Sequence, residues 1–234
     1  MSDSSSANHI TSSDKLSLGL RKFIIRWLSS VCFLVFAIVF VGGITRLTDS
    51  GLSMVDWKPI MGILPPITET DWIKTFVKYQ QFPEFKLLNH SMKLDEFKSI
   101  FFWEYIHRIL GRIIGLVLLL PFLALLVTKR LNSRWNKKLF IAVILVALQG
   151  LMGWFMVKSG LVDIPYVSHY RLAAHLSLAF LIYGYLLWLI MDLRHQRVLV
   201  SSGISNLKRF STSLVILVAL QVVYGAFVAK LKAG

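Results

Sequence analysis

The stretch Trp103-Glu104-Tyr105-Ile106-His107-Arg108-Ile109-Leu110-Gly111-Arg112 places a carboxylate, an imidazole and two guanidinium groups at the mouth of the apolar run Ile113 to Val127. On a helix, Glu104, His107, Arg108, Gly111 and Gly115 follow at spacings of three and four, so they share one face. Ionisable groups in a membrane-spanning run are costly and mark functional sites. The glycines permit close approach, and the face suits a flat, charged, metal-containing ligand.

A second polar helix start is Ser168-His169-Tyr170-Arg171-Leu172-Ala173-Ala174-His175, apolar from Leu176 onward. His107 stands four residues after Trp103 and His175 five after Tyr170, so both imidazoles reach nearly equal depth if both helices run inward. Two imidazoles at one level on neighbouring helices can clamp a haem iron from both sides. Arg108, Arg112 and Arg171 can pair with haem propionates, the alternative being arginines that snorkel to the outer interface. His169 falls nearer the outer loop and is a weaker ligand candidate. Glu104 can shuttle a proton, stabilise positive charge on a substrate, or pair with Arg108 at i+4. E-x-x-H is too short to identify a metal site, and H-E-x-x-H is absent because Trp103 precedes Glu104.

The elements that must position these residues are membrane helices. The 234 residues are 56% hydrophobic and 16% charged, with a mean hydropathy of +0.64. Apolar runs at about 23–44, 100–127, 139–157, 172–191 and 214–229 each approach the ~20 residues that cross a bilayer. The fold class is therefore an all-α, polytopic membrane helix bundle with five transmembrane helices. The net charge of +14 does not indicate nucleic acid, because 13 of the 26 basic residues fall before helix 1, between helices 2 and 3, and between helices 4 and 5. All these positions lie on one side, which the positive-inside rule makes the cytoplasm or an organelle matrix. Residues 1–20 read as a disordered cytoplasmic tail, and the lone Cys32 as a packed thiol.

The long outer connection, 45–99, carries seven acidic and seven basic residues. Trp72, Phe76, Val77 and Tyr79 recur at helical intervals within Asp71–Gln81 and predict a short interfacial helix, either a lid over the outer helix ends or a surface loop with aromatic anchors. Pro121 predicts a kink in helix 2. Gln149, Gly150 and Gly153 on helix 3, with Gln221 and Gly225 on helix 5, read as packing notches rather than ligand contacts. Gly42 to Gly51, ending helix 1, aligns without gaps with Gly225 to Gly234, ending helix 5, both having a basic residue fifth and leucine sixth. If this echo is a repeat, helix 5 opens a second four-helix half.

These residues resemble the haem A synthase family. The matching stretches are Gly42 to Ser53, Trp57-Lys58-Pro59, Phe102 to Arg112, Gln149 to Trp154, Val157 to Leu161, Tyr170 to Leu176 and Gly225 to Ala229. The resemblance implies two pseudo-symmetric four-helix halves, each with a histidine pair on its second and fourth helices. It makes 21–192 the N-terminal half and 210–234 the first helix of an incomplete second half. His107 and His175 become the ligand pair at the substrate haem, and Glu104 the catalytic carboxylate. Arg108, Arg112, Arg171 and Gly111 remain the binding candidates that the residues themselves suggest.

The implied reaction is oxidation of the C8 methyl of haem O to a formyl group, giving haem A for cytochrome oxidase. Further expectations are a haem b cofactor held by iron ligands in the missing half, haem O synthase (protohaem farnesyltransferase) as protein partner, and a bacterial inner membrane or, alternatively, a mitochondrial one. A homo-oligomer stays open. Helices 6 to 8, the second histidine pair and the outer-loop cysteine pair of some relatives are lacking, so the chain is expected to be a fragment or truncation. Competing readings are a bis-histidine electron-transfer cytochrome, which has no need of Glu104, and a transporter. Against the latter, the ionisable residues cluster at the outer end of helix 2.

Overall fold

A computed structural model describes residues 16–55, 64–160, 167–194 and 205–231, which exclude Trp57-Lys58-Pro59, most of the N-terminal tail and the end of the internal echo. Its elements are α1 (Leu18–Leu47), α2 (Glu69–Tyr79), α3 (Pro83–Leu87), α4 (Leu94–Val127), α5 (Ser133–Gly160), α6 (His169–Arg194) and α7 (Ser205–Leu231). Five of them, α1, α4, α5, α6 and α7, are long and apolar enough to cross a membrane. Helix starts follow local chemistry. Ser17 accepts from the Leu20 amide at 3.3 Å, Thr68 and Asp71 form a reciprocal capping box, and Pro83 opens α3, where a missing N–H costs nothing.

Helix α4 begins six residues before the apolar run at Ile100. Its 34 residues reach ~51 Å, well beyond ~30 Å of hydrocarbon, so its polar first turns stand outside the membrane. Pro121 lies within α4, which continues as a helix on both sides of it. Leu18 to Leu20, assigned to the tail from sequence, belong to α1.

Helices α4 and α6 each pack on both α1 and α5, and α7 packs on α6. The ring order is therefore α1, α4, α5, α6. Helices α4 and α6 face each other across the bundle rather than standing side by side, as the sequence suggested. Hydrogen bonds tie the ring: Trp27 Nε1 donates to the Val117 carbonyl at 2.7 Å, and Arg21 donates to the Leu193 and Arg194 carbonyls. At the inner end Lys138 pairs with Asp192 at 2.5 Å between the Trp135 and Trp188 rings.

The close-packed core fills only the inner half of the ring. It comprises Ile24 to Val35 on α1, Ile114 to Leu125 on α4, Trp135 to Ala142 on α5 and Ile182 to Leu193 on α6. Outward of this level no large apolar residue of the four ring helices is fully buried until Phe101 and Phe97 on α4, among the described residues. There the outer segment, α2 and α3, closes over α4 through Trp72, Phe76, Tyr79 and Phe85, an aromatic cluster with its own core. The interfacial helix expected near 71–81 is α2, and α3 adds a second short helix.

Leu186 is completely buried in the inner core. Leu186→Ala is expected to cost 2–5 kcal/mol, about what a core leucine truncation costs elsewhere, read as a shifted unfolding midpoint in detergent.

Candidate functional site

The outer half of the ring, where the core stops, holds both histidines. His107 lies seven residues outward of Ile114 on α4, and His175 seven outward of Ile182 on α6, with both isoleucines in one core cluster. Both imidazoles therefore stand about two turns, ~10 Å, outward of the core edge on their own helices. They are within electrostatic reach of each other.

Each ring is seated on a glycine of a flanking helix. A Cβ on Gly42 of α1 would meet His107 Cε1 at 3.0 Å, and one on Gly153 of α5 would meet His175 Cε1 at 3.1 Å. No larger residue fits at either place without moving the imidazole, so the two rings occupy space reserved by absent side chains. By contrast, a Cβ on Gly111 would make only an ordinary 3.7 Å contact with Ile38, and one on Gly115 would meet nothing within 4 Å. Close approach is thus granted by Gly42 and Gly153, not by the glycines on the histidine's own helix.

Gln149 on α5 fixes the second ring. Its amide nitrogen lies 3.1 Å from the His175 carbonyl and 3.2 Å from His175 Nε2. A carbonyl can only accept, so the amide nitrogen must face it and donates to both atoms. Nε2 is then an acceptor and the ring proton sits on Nδ1. That tautomer offers a lone pair on Nε2, the form a metal takes, once the amide has moved aside. The Nδ1 atoms of both histidines and Gln149 Oε1 are buried without a hydrogen-bond partner. Two buried imidazoles, each cradled by a glycine and each with an unpartnered ring nitrogen, are compatible with a planar metal group held between them.

Glu104, just outward of His107, is buried and held from three directions. Its Oε2 accepts from Ser53 Oγ at 2.6 Å and from the Met54 amide at 2.8 Å; its Oε1 takes Arg108 at 2.5 Å. Arg108 also donates to the Met54 carbonyl at 2.9 Å. Charge-assisted bonds of this kind are stronger than neutral ones, so the clamp fixes the chain after α1 against α4. The turn that delivers Ser53 is built by Thr48, whose hydroxyl lies 2.5 Å from Ser50 Oγ, and by Asp49, in the left-handed region at φ 48. Thr45 adds a weak bond to the Trp103 carbonyl at 3.5 Å.

Of the other candidates, Arg112 is half-buried on α4 and Arg171 stacks its guanidinium on Phe155 at 4.3 Å. His169 lies against Tyr170 and Phe227 at the outer end, away from the pair. The sequence reading missed Gly42, Ser53 and Met54 as site residues and favoured packing over ligand contact for Gln149 and Gly153. Gly42, Ser53, Gln149 and Gly153 had one signal, membership in the matched stretches; Met54 had none.

Fold and site together define a polytopic membrane helix bundle carrying an inward-facing histidine pair in its outer half. Comparison with known proteins narrows this class. The chain belongs to the cytochrome oxidase assembly protein family, whose model matches residues 25–234. Among its relatives, the haem A synthase of Nitrosospira multiformis is 51% identical over 92% of this chain and 61% of its own length. That of Flavobacterium psychrophilum is 48% identical over 91% and 63%, and that of Paramagnetospirillum magneticum 48% over 94% and 63%. The chain thus spans about three-fifths of these relatives. No solved structure matches it.

The glycine cradle is tested by matched pairs. Gly42→Ala and Gly153→Ala are expected to shift the imidazole Cε1–H resonances of His107 and His175 respectively. Gly43→Ala and Gly150→Ala, where a Cβ would meet nothing within 4 Å, are expected to leave both signals in place.

Proposed function

We propose that this chain is the substrate-binding half of a haem A synthase, holding haem O between His107 and His175 while its C8 methyl group is oxidised to a formyl group. The observation that carries this reading is the coincidence of the two imidazoles, at one height, with the part of the ring that lacks a packed core. The relatives' name supports the substrate. In this reading residues 21–192 form the substrate half and 210–234 begin the second. The haem b cofactor and its own histidine pair lie in the part of the relatives' length that this chain does not span.

When bound, the haem iron and the cofactor supply the redox chemistry. The chain's own residues bind, orient and screen. Gly42 and Gly153 let the rings retreat against the helix backbones, leaving the gap between α4 and α6 open. Gln149 keeps the His175 lone pair on Nε2. Arg112 and Arg171 offer forked donors at the outer side for propionates, while Arg108 is committed to Glu104 and Met54. Glu104 is the carboxylate nearest in sequence to a ligand, and its anchoring by Ser53, Met54 and Arg108 fixes where it can exchange a proton. The lid of α2 and α3 limits water at the outer mouth. The basic loops face the cytoplasm of a bacterium or, alternatively, a mitochondrial matrix. Haem O synthase is a fitting partner because its product is poorly soluble and is the substrate here.

The clamp is tested by adding haem O or haem B to the purified chain. A six-coordinate low-spin spectrum is expected, abolished by His107→Ala and by His175→Ala; an unchanged spectrum in either variant removes that histidine from the pair. In a chain completed to the relatives' length, Glu104→Gln is expected to retain the low-spin spectrum yet lower formyl formation by about 10²–10⁴-fold, the usual size of an acid–base contribution. Ser53→Ala, which leaves the carboxylate and Arg108 intact, is expected to fall well short of that loss.

A further inference from the structure

A second buried carboxylate lies outside the histidine site. Glu84, in the first turn of α3, is 6% exposed and one of its oxygens, Oε2, has no hydrogen-bond partner among the described residues. The Tyr79 hydroxyl is close enough to act on its carboxyl group. Asn89 Nδ2 donates to that hydroxyl at 2.7 Å, so the one proton of Tyr79 is free to be offered to Glu84. Tyr79 is completely buried and stacked on Phe97 of α4 at 5.0 Å. The carboxylate thus sits at the joint between lid and bundle.

The charges acting on Glu84 from neighbouring elements are Glu104 on α4 and Asp49 in the turn after α1. Both are negative, though each is paired, Glu104 with Arg108 and Asp49 with Arg46. An ionised Glu84 would therefore be desolvated, half-satisfied and repelled from two sides. A neutral one meets only the lesser cost of an unpaired oxygen.

We propose that Glu84 is a positioning residue for the Glu104 clamp: as the neutral acid it seats α2 and α3 on the outer end of α4, and its ionisation unseats them. The lid is continuous with the segment that carries the clamp, since Met54 and Val55 pack against the same aromatic cluster as Phe76 and Phe85. Release of the lid therefore loosens the Met54 amide from Glu104.

Burial, chiefly, and then the charges of Glu104 and Asp49 push the Glu84 carboxyl from 4.5 up to about 8, against the Tyr79 hydrogen bond, which pulls it down. Burial also raises the Tyr79 hydroxyl, so it stays a donor throughout this range. The sign follows from linkage. The closed lid holds the proton more tightly than the open one, so closure is undiminished below about 4.5 and weakens as pH rises. The opening constant grows about tenfold per pH unit up to about 8, and levels off above it. The lid grips best when the outer compartment is acidic.

Hydrogen exchange of the full chain in lipid nanodiscs, corrected for the intrinsic pH dependence of exchange, reads this directly and needs no haem. It is therefore independent of the histidine clamp. The wild-type peptides covering Ser50–Val55 and Glu69–Asn89 are expected to lose protection by about tenfold per unit as pH rises toward 8. Glu84→Gln is expected to hold the acid-side protection at every pH. Tyr79→Phe, which removes the donor favouring the anion, is expected to move the midpoint upward. A flat wild-type profile, or a Glu84→Gln profile that follows the wild type, overturns the proposal; should that variant fail to fold, an unmoved midpoint in Tyr79→Phe overturns it.

Discussion

The contact on which the outer half of this molecule depends is that between an imidazole ring and a helix backbone with no side chain in the way. At 3.0 Å and 3.1 Å from where a Cβ would stand on Gly42 and Gly153, the two rings lie as near to α1 and α5 as packing allows. A histidine on a helix of this kind would otherwise reach toward the middle of the ring or out to the lipid. Seated on its neighbour, each ring takes the place a side chain would otherwise fill. Because α1 and α5 alternate with α4 and α6 around the ring, the same device serves both histidines, and they end up on opposite sides of one space.

That arrangement divides the bundle by height. The inner half is an ordinary apolar core, in which Leu28, Leu118, Leu139 and Leu186 are almost wholly removed from solvent and lipid. Dispersion and close packing hold membrane helices together where water does not drive them. The outer half has polar anchors in place of a core. Ser53, Met54 and Arg108 converge on Glu104, and a lid of aromatic residues closes over them. Rigidity below and adjustability above suit the proposed role of holding a large planar group between two nitrogens.

Much of this was legible in the residues alone, for identifiable reasons. Five apolar runs announce five spans because hydrocarbon tolerates little else, and the equal depth of His107 and His175 follows from the constant rise of a helix. The pairing of Glu104 with Arg108 follows from i+4 spacing. The first turns of α4 were not visible as part of a spanning helix, because Leu94 to Ser99 are mixed in character. Ring order is not visible in the residues at all: nothing local distinguishes a neighbour from a helix across the bundle, and matched depth alone suggests that α4 and α6 are adjacent. The cradle glycines were hidden for the same reason, as each matters through a ring on another helix. Glu84 was passed over because a carboxylate in a polar loop ordinarily faces water, and only the folded lid buries it.

The closure of the ring also sets an order of assembly. Arg21, at the start of α1, donates to the carbonyls of Leu193 and Arg194 at the end of α6, more than 170 residues later in the chain. At 5–20 residues per second, α1 must wait on the order of ten seconds or more for that partner to leave the ribosome. Until it does, His107 and its glycine can meet, but His175 cannot face them. A nascent chain therefore cannot bring the two imidazoles to face each other before the last ring helix has entered the bilayer, and the paired arrangement arrives in one step.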